Sequence, residues 1–143
     1  MPKNMRVSEI MTRDPIVLSE EDNLAKIQEG MEHFHLRHIP VVDGERLVGI
    51  ISQRDILRFA VSALERATAA HHREEWLEEH TFVAQVMTRD PFTVHPDTTV
   101  AEAAQVITDA KVGCLPVVED DHRLVGIVTE ADMLNLLVRM LLD

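Results

Sequence analysis

Two pairs of side chains have the types and spacing to hold a small molecule. Ser52 precedes Asp55 by three residues in GIISQRD, and Thr129 precedes Asp132 by three residues in GIVTEAD. Each pair stands where an apolar run ends and a segment with helical periodicity begins. The start of a helix has free N–H groups that attract anions, and a nearby carboxylate can accept hydrogen bonds from the vicinal diol of a ribose. The pattern therefore indicates a nucleoside-phosphate site.

Helix starts alone also explain these residues. Ser and Thr are favoured N-caps, and an Asp at the third helical position can accept a bond from the N–H of the cap residue. Under this interpretation Ser52 and Thr129 begin helices, and Asp55 and Asp132 complement the positive helix ends. Gly49 in the first motif, like its counterpart Gly126, would let another group approach the strand closely. Both interpretations stay open from the residues alone.

The chain is an internal duplication. VSEIMTRDPIVL (7–18) is answered by VAQVMTRDPFTV (83–94), and IPVVD (39–43) is answered by LPVVE (115–119). LVGII and LVGIV follow in the same order, and the turn before the second of them is one residue longer. Matches at two nearly fixed spacings are typical of a repeated unit, here of about 60 residues.

Each copy is predicted to run strand, helix, strand, strand, helix. The expected strands and helices of the first copy are PIVL (15–18), a helix over 22–34, a hairpin of IPVVD and RLVGIIS, and a helix over 52–67. We expect repeats at 7–66 and 83–142, joined by a helical linker at 67–82. The fold class is therefore α/β (α+β), with apolar strands buried by helices.

Bulk properties exclude several classes of protein. The 143 residues carry a net charge of −11, which leaves no basic field for nucleic acid. No apolar run approaches the length of a membrane span, and the N-terminus has no signal-peptide pattern. The single cysteine permits no internal disulfide, so a cytoplasmic location is expected.

No arrangement of residues predicts an enzyme or a metal site. Cys114 lies in a predicted buried strand without an electropositive neighbour, so it is expected to be a small core residue. His71 and His72 in the linker are expected on a solvated helix face, and HFHLRH (33–38) spans a predicted helix end. No second cluster of His and carboxylate residues completes a coordination sphere.

The repeated motifs VMTRDP, HIPVV and G-h-h-S/T-x-x-D (h, apolar) closely resemble those of a tandem CBS-domain pair, or Bateman module. The resemblance covers about 7–66 and 83–142. It implies two three-stranded sheets flanked by helices, with pseudo-twofold symmetry. It also implies that an adenosyl ligand binds in clefts between the repeats, and that the chain is a homodimer.

In that family's motif the Asp holds the ribose and the Ser or Thr faces phosphate, while residues after DP and around the central Pro line the base. Arg37 and His38 precede IPVV, and Arg54 lies beside Asp55; these groups suit a phosphate. The second copy lacks them at the same positions, so the two pockets are expected to differ. The residues expected at the nucleotide sites are Val17, His38, Ile39, Pro40, Ser52, Arg54, Asp55, Thr93, Cys114, Leu115, Pro116, Thr129 and Asp132.

The expected function is that of a regulatory module, and no catalytic residue or required cofactor is predicted. The ligand would be AMP, ADP or ATP, with NAD or S-adenosylmethionine as alternatives and Mg²⁺ as a companion of phosphate. The signal would pass through conformation, dimer arrangement or an unknown effector protein. The alternative is a structural or dimerisation module with vestigial pockets, and neither nucleic acid nor membrane is an expected partner.

Overall fold

The computed structural model describes residues 3–66 and 74–142, and it confirms an α/β fold with two three-stranded sheets. A single 3₁₀ turn, Val7–Glu9, precedes the first strand. The strands are β1 (Thr12–Arg13), β2 (His38–Asp43), β3 (Arg46–Ser52), β4 (Thr88–Arg89), β5 (Cys114–Val118) and β6 (Leu124–Thr129). The helices are α1 (Leu24–His33), α2 (Gln53–Arg66), α3 (Glu74–His80), α4 (Val83–Val86), α5 (Val100–Ala110) and α6 (Glu130–Leu142).

The described residues form two compact units that do not coincide with the sequence repeats. One unit is Ile16–Asp90, which we call the Asp55 unit. The other joins the described parts of Met1–Pro15 and Pro91–Asp143, which we call the Asp132 unit. The segment containing each MTRDP motif therefore belongs to the unit built on the other repeat.

In the Asp55 unit the sheet order is β2-β3-β4, with antiparallel pairs throughout. β2 and β3 form the hairpin expected from IPVVD and RLVGIIS, and His38 lies opposite Ser52. The two-residue strand β4 then pairs with β3, so that Thr88 lies opposite Ile50. The third strand of this sheet thus comes from the start of the second sequence repeat.

The Asp132 unit has the corresponding sheet, in the order β1-β6-β5. Cys114 lies opposite Thr129 in the β5–β6 hairpin, and Thr12 of β1 lies opposite Ile127. Its third strand comes from the first sequence repeat. The two sequence repeats have therefore exchanged equivalent strands.

Each unit has its own apolar core. In the Asp55 unit Ile27 of α1 packs with strand residues Ile39 and Ile51, and all three are fully buried. In the Asp132 unit Leu115 and Val128 occupy the equivalent central places. A fully buried aliphatic side chain contributes about 1.5–3 kcal/mol, so these contacts hold α1 against the β2–β3 hairpin.

Local capping residues start the first helix of each repeat. The Asn23 side chain accepts a hydrogen bond of 3.1 Å from the Lys26 N–H at the start of α1. Thr99 accepts a bond of the same length from the Glu102 N–H at the start of α5. Both caps satisfy an N–H group that has no partner within the helix.

One expectation about the elements differs from the structure. The segment predicted as a strand at 15–18 makes only a single parallel bridge, from Leu18 to Val41. The strand of this region is instead Thr12–Arg13, which is polar and only two residues long. Within the predicted linker, 67–82, the structure places α3 at Glu74–His80, while residues 67–73 lie outside the described part of the chain. Within the described ranges, no helix has the length and apolar character needed to cross a bilayer.

Candidate functional site

The Ser52–Asp55 pair stands at the junction of β3 and α2 and forms a closed set of hydrogen bonds. The Ser52 N–H and hydroxyl donate to Asp55 Oδ2 over 2.9 and 3.0 Å. The Asp55 N–H donates back to Ser52 Oγ over 3.2 Å. The capping interpretation of this motif is therefore realised, and Asp55 is only 6% exposed.

A residue that sequence reasoning missed, Thr88, completes the surroundings of Asp55. The Thr88 hydroxyl donates a hydrogen bond of 2.9 Å to Asp55 Oδ1, which places a side chain of β4 at the start of α2. Arg58 Nη1 also lies 4.0 Å from Oδ1, but its side chain is mostly exposed and the ion pair is weak. Both oxygens of the Asp55 carboxylate thus have partners within the protein.

The Thr129–Asp132 pair repeats the capping geometry at the junction of β6 and α6. The Thr129 N–H and hydroxyl donate to Asp132 Oδ2 over 2.8 and 3.1 Å, and the Asp132 N–H donates to Thr129 Oγ1 over 3.2 Å. Among the described residues no hydrogen bond to Asp132 Oδ1 is found, and the equivalent threonine, Thr12, makes none to this carboxylate. Asp132 is partly exposed, so its Oδ1 remains available to a ligand.

The apolar residues predicted to line the base lie beside these pairs but are mostly buried. Ile39 and Leu115 are completely buried in the cores, and Pro40 and Pro116 are nearly so. Their backbones are engaged in the sheets, and the Pro40 carbonyl accepts a bond of 3.0 Å from the Leu18 N–H. These four residues can therefore offer a ligand little side-chain surface within their own units.

The residues that follow the DP motifs are more accessible. Val17 is 39% exposed, and Thr93 in the other unit is partly exposed. Each immediately precedes a residue that bonds to the central proline: the Leu18 N–H to Pro40 and the Val94 N–H to Pro116, the latter over 3.1 Å. Val17 and Thr93 are thus the predicted lining residues whose side chains reach the surface.

Val17 also borders an open cavity of about 570 Å³ that contains neither Ser52 nor Asp55. Four of its other lining residues are acidic and one is basic; the full set is Leu18, Ser19, Glu20, Glu21, Asp22, Lys26, Val42, Asp43 and Gly44. An excess of carboxylates repels anions, so this cavity does not suit a phosphorylated ligand.

Two positions beside the aspartates hold residues of different charge in the two units. His38 begins β2 opposite Ser52, and Arg54 lies exposed in the first turn of α2. In the Asp132 unit the corresponding positions hold Cys114 and Ala131. At these two positions the Asp55 unit therefore has basic side chains and the Asp132 unit has none.

Cys114 is a buried thiol near Asp132. Burial raises its pKa well above the ordinary value, and the negative charge of Asp132 raises it further. The thiol therefore stays protonated at neutral pH and is a poor nucleophile. This agrees with the expectation of a small core residue.

Gly49 and Gly126 allow a close approach, but the group that approaches is another strand. A Cβ on Gly49 would lie 2.8 Å from the Thr88 carbonyl oxygen and 2.9 Å from Met87 Sδ. The glycines of the motif thus make room for the exchanged segment.

The histidines do not form a metal centre in the part of the chain that the structure describes, where no group of three or more potential ligands is placed to hold an ion. The rings of His33 and Phe34 contact each other edge to face, with centroids 4.9 Å apart. His71 and His72 lie outside the described residues.

Fold and site together define a duplicated α/β module in which each unit carries one capped Ser/Thr–Asp pair. A family model of the CBS domain matches residues 7–62 and 83–139. The chain therefore belongs to the CBS domain family, with two copies of the domain.

Known proteins with similar sequences or structures support this assignment. The chain is 32% identical over 136 residues to a CBS domain-containing protein of Dictyostelium discoideum, covering 94% of this chain and 92% of that one. It is 30% identical over 128 residues to inosine-5'-monophosphate dehydrogenase of Korarchaeum cryptofilum, covering 90% of this chain but spanning only 23% of the enzyme's length.

A solved structure with a bound ligand is also similar. The CBS domain pair of protein MJ0100, crystallised with 5'-methylthioadenosine and S-adenosyl-L-methionine, is 27% identical with a TM-score of 0.76. The match covers 95% of this chain and 98% of that chain.

Proposed function

We propose that this protein is a regulatory module that binds an adenosyl ligand at its two Ser/Thr–Asp pairs. The observation that carries this function is the repeated carboxylate at a helix start, held by the same capping bonds in both units. Similarity to a CBS pair crystallised with two adenosyl compounds supports the ligand class.

The chemistry of recognition follows from the atoms available. Asp132 Oδ1 can accept hydrogen bonds from the two hydroxyls of a ribose, each worth about 1.5–3 kcal/mol when the acceptor is charged. The start of α6 presents N–H groups and the positive end of its helix dipole. The ribose could therefore be held at this junction, as the spacing of Thr129 and Asp132 predicts.

The ligands of the two units would differ in charge. His38, Arg54 and Arg58 favour a phosphorylated compound such as AMP, ADP or ATP near Asp55, and Mg²⁺ would accompany a polyphosphate. The Asp132 unit has Cys114 and Glu130 in its neighbourhood and favours an adenosyl compound without phosphate. S-adenosylmethionine, which is cationic at sulfur, belongs to that class.

The output of such a module requires a second conformation or a partner. A ligand shifts an equilibrium only by its differential affinity for two states, so binding must favour one arrangement of the protein. We propose that the change passes to a second copy of this chain or to an effector protein.

The exposed helix faces support assembly with a second copy. In α2 the residues Leu57, Val61 and Leu64 follow one another at helical spacing and are at least half exposed. The exposed apolar residues of α6 have the same pattern: Leu134, Leu137, Val138 and Leu141. Because equivalent helices of both repeats carry such a stripe, a second copy would offer the same two surfaces in return.

Calorimetric titration with AMP, ATP and S-adenosylmethionine, with and without Mg²⁺, tests the proposed function. Saturable binding of one compound is expected, and Asp132→Ala should weaken binding at its own site about thirtyfold, which corresponds to about 2 kcal/mol. Asp55→Ala should do the same at the other site. If these compounds do not bind, the protein is the structural module of the alternative interpretation. If they bind but both variants keep the wild-type affinity, the Ser/Thr–Asp pairs are not the binding sites.

A further inference from the structure

The two carboxylates differ in one hydrogen bond, and we propose that Thr88 competes with the ribose of the ligand for Asp55. This inference rests on the proposed function and deepens it. It assigns Thr88 a positioning role that lowers the affinity of the Asp55 site relative to the Asp132 site. The threonine acts through Asp55 and not by forming the site itself.

The lone pairs of Asp55 are largely used within the protein. A carboxylate offers about four acceptor positions. Oδ2 accepts hydrogen bonds from the N–H and the hydroxyl of Ser52. Oδ1 accepts one from the Thr88 hydroxyl over 2.9 Å, and Arg58 Nη1 lies 4.0 Å from the same oxygen. A vicinal diol that needs two acceptor positions must therefore displace the Thr88 hydroxyl or bind through one hydroxyl only.

Asp132 has the same capping bonds but lacks this additional one. Its Oδ2 takes the N–H and hydroxyl of Thr129, while Thr12, which occupies the place of Thr88 on the paired strand, makes no bond to Oδ1 among the described residues. Both acceptor positions of Oδ1 are then available to a diol. The Asp132 site should accept a ribose without loss of an internal bond.

Displacement at Asp55 would also act on the strand that carries Thr88. β4 is two residues long and pairs with β3 only through Arg89 opposite Gly49 and Thr88 opposite Ile50. Loss of the Thr88–Asp55 bond removes a side-chain tie between this short strand and the start of α2. Occupation of the Asp55 site is thereby coupled to the packing of β4.

Equilibrium binding of AMP to paired variants tests the competition. Asp132→Ala isolates the Asp55 site, and in that background Thr88→Val, which keeps the shape but removes the hydroxyl, should raise AMP affinity about fivefold, the equivalent of one hydrogen bond of about 1 kcal/mol. Thr88→Ser keeps the hydroxyl and should retain the parent affinity. A merely structural role for Thr88 would lower the affinity of Thr88→Val.

The Asp132 unit supplies a matched control, because Thr12 stands there in the place of Thr88. Asp55→Ala isolates the Asp132 site, and in that background Thr12→Val should change S-adenosylmethionine affinity less than twofold. The gain from Thr88→Val should also disappear for 2'-deoxy-AMP, because a ligand with one ribose hydroxyl needs only one acceptor position. Equal gains from Thr12→Val and Thr88→Val, or a gain that persists with the deoxy compound, would overturn the competition.

The outcomes separate this inference from the proposed function. If wild-type protein binds AMP but Thr88→Val gives no gain, the competition is wrong and the sensor function stands. If neither wild type nor any variant binds AMP, ATP or S-adenosylmethionine, the proposed function fails and the competition fails with it.

Discussion

Gly49 and Thr88 are so close that a Cβ on the glycine would lie 2.8 Å from the threonine carbonyl oxygen. Gly126 and Thr12 repeat the relationship at 2.9 Å. The sheets of both units therefore admit their third strand only because the facing residue has no side chain. The glycine of each G-h-h-S/T-x-x-D motif is a packing residue for the strand that delivers a threonine to the start of the helix.

Gly49→Ala and Gly126→Ala should both destabilise the protein. The added methyl group meets backbone oxygen, which cannot rotate away, and overpacking of this kind costs about 1–3 kcal/mol. Urea unfolding monitored by circular dichroism would measure the loss. Gly44→Asn is the control, since Gly44 has a left-handed φ of 64° with open space around it, and Asn tolerates that conformation. An unchanged midpoint for Gly49→Ala would show that β4 does not pair as described.

Asp55→Ala should cost more stability than Asp132→Ala. Asp55 is buried and its removal leaves Ser52 and Thr88 without an acceptor, which we expect to cost about 2–3 kcal/mol. Asp132→Ala removes a partly exposed capping partner and should cost about 1 kcal/mol. Denaturant unfolding without ligand gives both values. Equal losses would contradict the difference between the two sites.

Cys114 should make stability fall at alkaline pH. Burial, and then the charge of Asp132, raise the folded-state pKa above the ordinary value of about 9. As pH rises through that ordinary value, the unfolded thiol loses its proton while the folded thiol keeps it, so folding stability is lost. Linkage predicts a loss of about 1.4 kcal/mol at pH 10 relative to neutral pH. The unfolding free energy of Cys114→Ala, measured over the same range, should lack this contribution.

Charges on the exposed apolar stripe of α6 should prevent self-association. Leu134→Glu with Leu141→Glu places two carboxylates on the face proposed to meet a second copy, and burying an unpaired charge is costly. Sedimentation velocity should show a dimer for wild type and a monomer for the double variant. Ala101→Glu adds a charge at an exposed position of α5, a helix without such a stripe, and should leave the dimer intact. A monomeric wild type would refute the proposed assembly.

Much of the fold could be predicted from local patterns. The β-branched runs around Val41 and Ile51 gave the hairpins, and apolar spacing in α1 and α2 gave the helices. The exchanged strands could not be found in this way, because Thr12–Arg13 and Thr88–Arg89 are polar, two residues long and exposed. Their pairing depends on space left by distant glycines, and no local propensity records it. The apolar PIVL segment looked more like a strand but makes a single bridge.

The site, like the fold, has some residues that the sequence predicts and one that it does not. Ser52 with Asp55 and Thr129 with Asp132 were predictable because three-residue spacing fixes their geometry on a helix start. Thr88 was missed because it reaches Asp55 across the sheet from a position 33 residues later. One signal was present, since the threonine of MTRDP occurs in both repeats, but its partner could not be read from sequence. The assignment of the other lining residues remains a prediction.

The exchange of β1 and β4 has a consequence for how such a chain can be divided. A polypeptide with only one repeat would carry its own MTRDP strand but could not fold it back onto its own hairpin in the manner observed. The edge of β3 at Gly49 would stay open until another molecule supplied the missing strand. Two separate single-repeat chains would have to pair to complete both sheets. Cutting the linker should yield two fragments that complement each other and are poorly folded apart.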